Sequence, residues 1–280
     1  MEQRIIAIFC LIDEFLKEIG HKDDKRAYIS SSEVLLIGYL AVSDFNGNYS
    51  KAHEYIMSMR LVKTIEYSRF IRRLSKLEKE VEQLFVFLSQ LFVKLNEMNI
   101  YSIDSFPVEL CNITREKQAK LWSDTKLKGY NASKKRFFYG FKVHMVVSLH
   151  KEPISLYISE GSMHDTTASY GILSSLPHKA TAIGDKGYVS SKLESFLLKL
   201  GINLSPIYRQ NMKTDPDYYA KRRIRKGVET AFSVITAKFG KVIKATSIGG
   251  FLIKLKLFIV AYSIDMFFKL DRSKQKLAFN

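Results

Sequence analysis

Cysteine is scarce in this chain of 280 residues: there are 2, Cys10 and Cys111, far apart and without a CxxC or a neighbouring His pattern. That excludes a disulfide framework and a Cys/His zinc site, and it suits a reducing cytoplasm. Acid is short as well, with 28 Asp and Glu against 44 Lys and Arg, a net charge of +16. Such an imbalance steers a chain toward polyanions, either nucleic acid or an anionic membrane surface. Unbroken apolar runs of membrane length are missing. Residues 248–268 come nearest, but Lys254, Lys256 and Asp265 interrupt them, so they read as a buried core helix and not a span. The first residues lack a basic region and a small-residue cleavage site and run into Asp13 and Glu14, so they do not read as a signal peptide. There is no GxGxxG and no GxxxxGK followed by Ser or Thr, which argues against a nucleotide cofactor. No Ser, Cys or His triad stands out, and there is no internal repeat or low-complexity segment.

What is present is ordinary protein interior: 46% hydrophobic and 26% charged residues, enough for a core and for two domains. Residues 1–99 have the period of helices. Ile5, Ile8, Ile12, Phe15 and Leu16 form one apolar stripe, and Ser30 with Glu33 makes a capping box for the next helix. Ser50 starts a further helix, and Ser68 opens a long one with Leu74, Leu77, Val81, Leu84, Leu88, Leu91 and Leu95 on one side. Arg69, Arg72 and Arg73 lie at its start. This arrangement is either a helix-turn-helix unit with those arginines near a DNA groove or a helical bundle with solvated arginines.

At Ile100 the period changes to that of strands, and the domain boundary is placed there. Tyr101–Val108 is a first strand and Pro107 limits its pairing. Residues 111–136 are a polar loop with Lys120, Trp122, Tyr130, Lys134, Lys135 and Arg136. It either clamps a phosphate backbone, with an aromatic ring on a distorted base, or is simply solvated. Phe137–Leu149 and Ile154–Ile158 alternate cleanly and form a hairpin. A helix from Asp165 or Thr166, a strand ending at Asp185, a helix over 190–200, a short strand from Asn203, a helix over 218–239 and the apolar helix 248–268 complete the series. Three strands, helix, strand, helix, strand and helix is the order of the RNase H-like fold, an α+β arrangement here preceded by an all-helical domain.

Three acids occupy special places in this order. Asp104 and Asp185 each end an apolar strand, and Gly184 and Gly187 allow positive φ around the second. Glu229 sits alone in a basic helix with Arg222, Arg225 and Lys226. In an RNase H-like sheet the first and fourth strands are neighbours, so the two aspartates meet and the last helix brings Glu229 to them. Hard carboxylate oxygens suit Mg²⁺ or Mn²⁺, and two such ions serve in-line displacement at phosphorus. Each acid also has a plainer reading: a turn or cap for the aspartates, a salt-bridge partner for Glu229. Asp165 is a helix cap or a fourth carboxylate, with His164 beside it. His144, alternating with apolar residues, reads as structural. Lys186 and Arg225 either contact phosphates of the scissile strand or balance the acids.

Five stretches in this order carry a resemblance: Ile103–Val108, Phe138–His144, Gly161–Asp165, Gly184–Tyr188 and Arg225–Phe232. Together they resemble the DDE transposases of bacterial insertion sequences, in particular the insertion-sequence 982 group. The resemblance implies that Asp104, Asp185 and Glu229 hold two Mg²⁺ or Mn²⁺ ions. It implies binding and cutting of double-stranded DNA, at element ends and at a target, by a homodimer or larger complex near the bacterial nucleoid. Arg222 stands where related families carry Tyr, and Thr236 where they carry Lys, with Lys238 two positions late. The stretch between Asp185 and Glu229 is too short for the large β insertion of some relatives. A metal-dependent nuclease or resolvase, or a DNA-binding protein without chemistry, remains the alternative.

Overall fold

The computed structural model describes residues 2–118, 125–131, 134–208, 216–239 and 243–279. In chain order its elements are α1 (Glu2–Glu18), α2 (Ser31–Ser43), α3 (Tyr49–Met59), α4 (Tyr67–Lys76), α5 (Glu78–Leu95), β1 (Ile100–Cys111), β2 (Lys128–Asn131), β3 (Arg136–Ser148), β4 (Pro153–Glu160), α6 (Asp165–Leu173), β5 (Thr181–Ile183), α7 (Ser191–Lys199), β6 (Asn203–Leu204), α8 (Tyr218–Ala237), α9 (Ile248–Phe267) and α10 (Arg272–Lys276). The chain divides into two compact units, 1–88 with 235–280, and 89–234. The sequence texture instead kept 235–280 with the strands. These residues group with the N-terminal helices because α9 is apolar all round and needs cover on every side. It packs on α2, which is buried over most of its length.

In the helical unit Ser30 and Glu33 form the expected capping box: the Ser30 hydroxyl accepts from the Glu33 N–H at 3.1 Å, and the Ser30 N–H donates to Glu33 Oε2 at 2.7 Å. Two of the three charges of α9 are paired. Lys256 donates to Glu78 at 2.5 Å and Glu82 at 2.6 Å, and Asp265 accepts from Lys238 at 2.7 Å and Tyr39 at 2.8 Å. Among the described residues no helix is long and apolar enough to cross a membrane. The long helix read from Ser68 is two helices, parted at Leu77, whose N–H turns back to the Leu74 carbonyl. Glu78 and Glu80 then open α5, where carboxylates favour the positive end of a helix. Residues 60–66 join α3 to α4, a longer connection than the roughly three or four residues of a helix-turn-helix.

The second unit is built on one sheet. On one side of β3 lie β2 and β4, end to end; on the other, in order, lie β1, β5 and β6. β1 and β4 run antiparallel to β3, while β5 runs parallel to β1 and β6 parallel to β5. This is the RNase H-like arrangement. β2 falls in the stretch read as a polar loop, and β1 runs on through Pro107 to Cys111. The proline is tolerated because β5 ends at Ile183, which leaves β1 an open side beyond that level. Two close crossings need glycine: a Cβ on Gly140 would lie 2.1 Å from the Val108 carbonyl, and one on Gly161 2.6 Å from the Leu127 carbonyl.

The pleat sorts β1 between two layers. Asp104 and Phe106 share one face, where Phe106 meets Phe232 of α8 at a ring-centroid distance of 4.5 Å. Ser105 lies on the other face beside its cross-strand partner His144, with Lys142 two positions along β3. α6 packs there on β3 and β4, and α7 packs on α6 and β6.

Candidate active site

Asp104 stands inside β1 and not at its tip, but it lies where the partner strand ends. The last paired level of β1 and β5 is Ser102 with Ile183. Two residues further on each strand, Asp104 comes level with Asp185. Asp185 leaves the strand as the cap of a short 3₁₀ turn, Lys186–Tyr188, and its Oδ1 accepts from the Gly187 N–H at 2.7 Å. Positive φ, expected of Gly184 and Gly187, occurs at neither. Space is the reason for Gly184, and at Gly187 a side chain would press on the Asp185 carboxylate. A Cβ at Gly184 would stand 2.9 Å from the Tyr188 ring, and one at Gly187 2.9 Å from Asp185 Oδ1.

Glu229 is brought in by α8, whose Val228, Ala231 and Phe232 are buried. The link to Asp104 is Arg225, one turn earlier. Its Nη1 donates to Asp104 Oδ2 at 3.0 Å and its Nη2 to Glu229 Oε1 at 2.5 Å. Asp104 Oδ1 accepts from the Ser105 N–H at 2.8 Å. Burial pushes the Asp104 carboxyl up to about 7, and the negative charges of Asp185 and Glu229 add to the shift, against the Ser105 N–H and Arg225. Among the described residues no three ligating side chains already stand close enough to hold an ion. The Arg225 guanidinium lies between Asp104 and Glu229 and pairs with both.

The other face of β1 holds a second cluster. Asp165 is the first residue of α6, and His164 takes the cap position without a side-chain cap bond. The expected cap by Asp165 or Thr166 is therefore not formed. Asp165 Oδ1 instead accepts from Ser105 Oγ at 2.9 Å and from Lys142 Nζ at 3.2 Å. Lys142 also donates to the Met163 carbonyl at 2.8 Å. His144 is buried, bonds Ser159 Oγ through Nε2 at 2.9 Å and has Nδ1 3.7 Å from Asp165. Burial pushes the His144 pKa down to about 4, so the ring is neutral. Ser105, Lys142 and Tyr188 were not singled out in the sequence. Their signal was present only as position: Ser105 follows Asp104, Lys142 alternates with apolar residues, and Tyr188 ends the glycine turn.

The basic candidates are scattered. Lys186 is exposed on the Asp185 turn, and Arg222 is exposed one turn before Arg225. Lys134 and Lys135 are exposed between β2 and β3, where Arg136 pairs with Glu109. In the helical unit Arg69 and Arg72 are exposed. Arg73 is committed to the fold, donating to the Ile29 carbonyl and, at 2.9 Å, to Asp23. Lys238 is paired with Asp265. Lys120, Trp122, Asp124 and residues 209–215 lie outside the described residues.

Three comparisons with known proteins stand beside this geometry. A family model described as a transposase DDE domain matches residues 94–242. The search of curated proteins finds no match. Among solved structures, a cryo-EM structure of the piggyBac transposase synaptic complex with hairpin DNA matches at 12% identity and a TM-score of 0.47, over 99% of this chain and 78% of that one.

Proposed function

Because the chain belongs to the family of DDE transposases, enzymes of DNA cleavage and strand transfer, we propose that it acts on the terminal inverted repeats of its own insertion sequence, with Asp104, Asp185 and Glu229 as its metal-holding carboxylates. One observation supports this reading most. The parallel register of β1 and β5 sets Asp104 level with Asp185, and Arg225 ties Asp104 to Glu229. The residues fit Mg²⁺ or Mn²⁺, which take hard carboxylate oxygens. The raised pKa of Asp104 fits too: burial raises it first and the negative charges of Asp185 and Glu229 add to it, charges that a bound cation would offset. Two ions held there would activate the attacking water or 3′-hydroxyl and offset charge on the departing oxygen.

The chain's own residues do the rest. Asp104, half-buried in β1, fixes one side of the site, and Asp185 is held by its turn. Arg225 lies between two carboxylates and is placed to exchange them for a phosphate oxygen of the scissile strand. Lys186 and Arg222 flank it as further phosphate contacts. Lys134, Lys135 and Arg136 bind backbone phosphates without reading sequence, and Arg69 and Arg72 read the element ends. The partners are then double-stranded DNA, as element end and as target, and a second copy of the chain in the active complex.

The test is a labelled element-end duplex incubated with the protein, with and without Mg²⁺, beside Asp185→Asn. Wild type yields a nicked and a joined product only with Mg²⁺. The variant binds the duplex as well or slightly tighter, having lost one phosphate-repelling charge, and yields neither product. Nicks without joined product point to a nuclease or resolvase instead, and normal cleavage by Asp185→Asn means the metal is held elsewhere.

A further inference from the structure

Asp165 opens α6 yet does none of the work of a cap. Its carboxylate turns to the sheet and takes the hydroxyl hydrogen of Ser105, the residue whose own N–H donates to Asp104. Lys142 holds Asp165 from β3 and, through the Met163 carbonyl, fixes the loop that leads to it. Gly161 lets that loop cross the Leu127 and Gly140 carbonyls, which a Cβ would approach to 2.6 and 2.7 Å. The other oxygen, Oδ2, lies 3.9 Å from where a Cβ on Gly187 would be, in the turn that carries Asp185. A second observation falls in the same place. Tyr188 is fully buried, and its hydroxyl makes no hydrogen bond of normal length among the described residues, although Ser105 is near enough to interact with it. Its pKa is raised by burial first and then by Asp165, Asp104 and Asp185 together, with Ser105 pulling the other way.

We propose that Asp165 is a positioning residue of the cleavage site, which sets the Asp104 carboxylate through Ser105 and stands behind the turn that presents Asp185. The role rests on the transposase reading above. The pleat keeps Asp165 on the face of β1 opposite Asp104, so it acts through its neighbours and touches no phosphate. A wholly structural Asp165 would serve only to fasten α6 to β3. The two differ in what a neutral, equal-sized side chain does. Outer partners that orient metal ligands typically change metal affinity or activity by about 10–100-fold when removed. A fastening acid changes stability alone.

The experiment compares wild type, Asp165→Asn, Ser105→Ala and Asp104→Asn. Cleavage of an end duplex is followed under single turnover, duplex binding is measured without metal, and Mn²⁺ binding to the DNA-free protein is read from the electron spin resonance of the free ion. Asp165→Asn is expected to bind duplex as wild type does, to bind Mn²⁺ about 10–100-fold more weakly and to cleave about 10–100-fold more slowly. Ser105→Ala, which removes one hydroxyl, is expected to move both readouts in the same direction by less. Unchanged Mn²⁺ binding and cleavage in Asp165→Asn, with Asp104→Asn inactive, overturns the positioning role and leaves the transposase reading standing. Full cleavage by Asp104→Asn overturns that reading itself. If Asp165→Asn does not fold, Ser105→Ala decides, and wild-type behaviour there overturns the proposal.

Discussion

Lys254 carries a charge in the most apolar helix of the chain. It is buried in α9, its Nζ donates to the Lys244 carbonyl at 2.7 Å, and it lies 4.2 Å from the centre of the Tyr49 ring. Burial lowers its pKa to about 8. The unfolded chain keeps this proton up to about 10.5, so between pH 8 and 10.5 the unfolded state binds more protons and stability rises with pH. Below pH 8 the charged form costs stability throughout. Lys254→Met is therefore expected to raise the urea midpoint at pH 7 and to flatten its rise between pH 8 and 10.5. A lower midpoint at pH 7 would show that the ring and carbonyl contacts outweigh desolvation. Arg73 makes the reverse case. It was grouped with Arg69 and Arg72 as a DNA contact, yet it is bonded to Ile29 and Asp23. Arg73→Ala is expected to lose about 1–3 kcal/mol of stability and to keep the preference for element ends, measured by urea melts and by competition between end and random duplexes.

Among the elements, β1 and β3 carry the tightest constraint. Gly140 faces the Val108 carbonyl so closely that a Cβ would stand 2.1 Å away. Gly140→Ala must push two strands apart and is expected to cost about 2–3 kcal/mol or more. A wild-type unfolding midpoint would refute this. The alternation of Phe137–Leu149 made β3 readable, because strand side chains repeat every two residues, although the folded strand is buried on both faces. The order of elements, and with it the sheet, followed from such periods and from glycine and proline punctuation. β2 escaped because four residues, Lys128–Asn131, are too few to show a period. The break at Leu77 escaped because the apolar stripe continues across it, so only the backbone records the end of α4. Of the candidate site, the strand context of Asp104 and Asp185 was legible and their common level follows from the observed register. What sequence could not give was direction. Asp165 occupied a position that favours caps, and only the β1 pleat, with Ser105 toward α6, shows where its carboxylate goes. Arg225 was noticed as a neighbour of Glu229, but its bridge to Asp104 joins residues far apart in the chain.

At the scale of the whole molecule the excess of 44 basic over 28 acidic residues is the largest single signal. It describes a polyanion partner without saying where sequence is read. Lys134 and Lys135 are exposed, while Arg136 is partly neutralised by Glu109. Replacing Lys134 and Lys135 by alanine should weaken binding to any duplex and reduce the salt slope by about two, close to one per lost phosphate contact. Replacing Arg69 and Arg72 should instead narrow the gap between end and random duplex, each lost bidentate base contact removing about 1–3 kcal/mol of discrimination. A salt titration of both duplexes separates the two; loss of discrimination in the lysine variant would reverse the roles assigned to the two units. The central claim is that the carboxylates of Asp104 and Asp185 bind the ions that make cleavage possible. Thiolate is a poor ligand for Mg²⁺ and a better one for Mn²⁺. The most direct measurement is therefore single-turnover cleavage of an end duplex by Asp104→Cys and Asp185→Cys in each metal. The account predicts no cleavage by either variant in Mg²⁺ and its return in Mn²⁺, whereas wild-type cleavage in Mg²⁺, or equal inactivity in both metals with duplex binding intact, would contradict it.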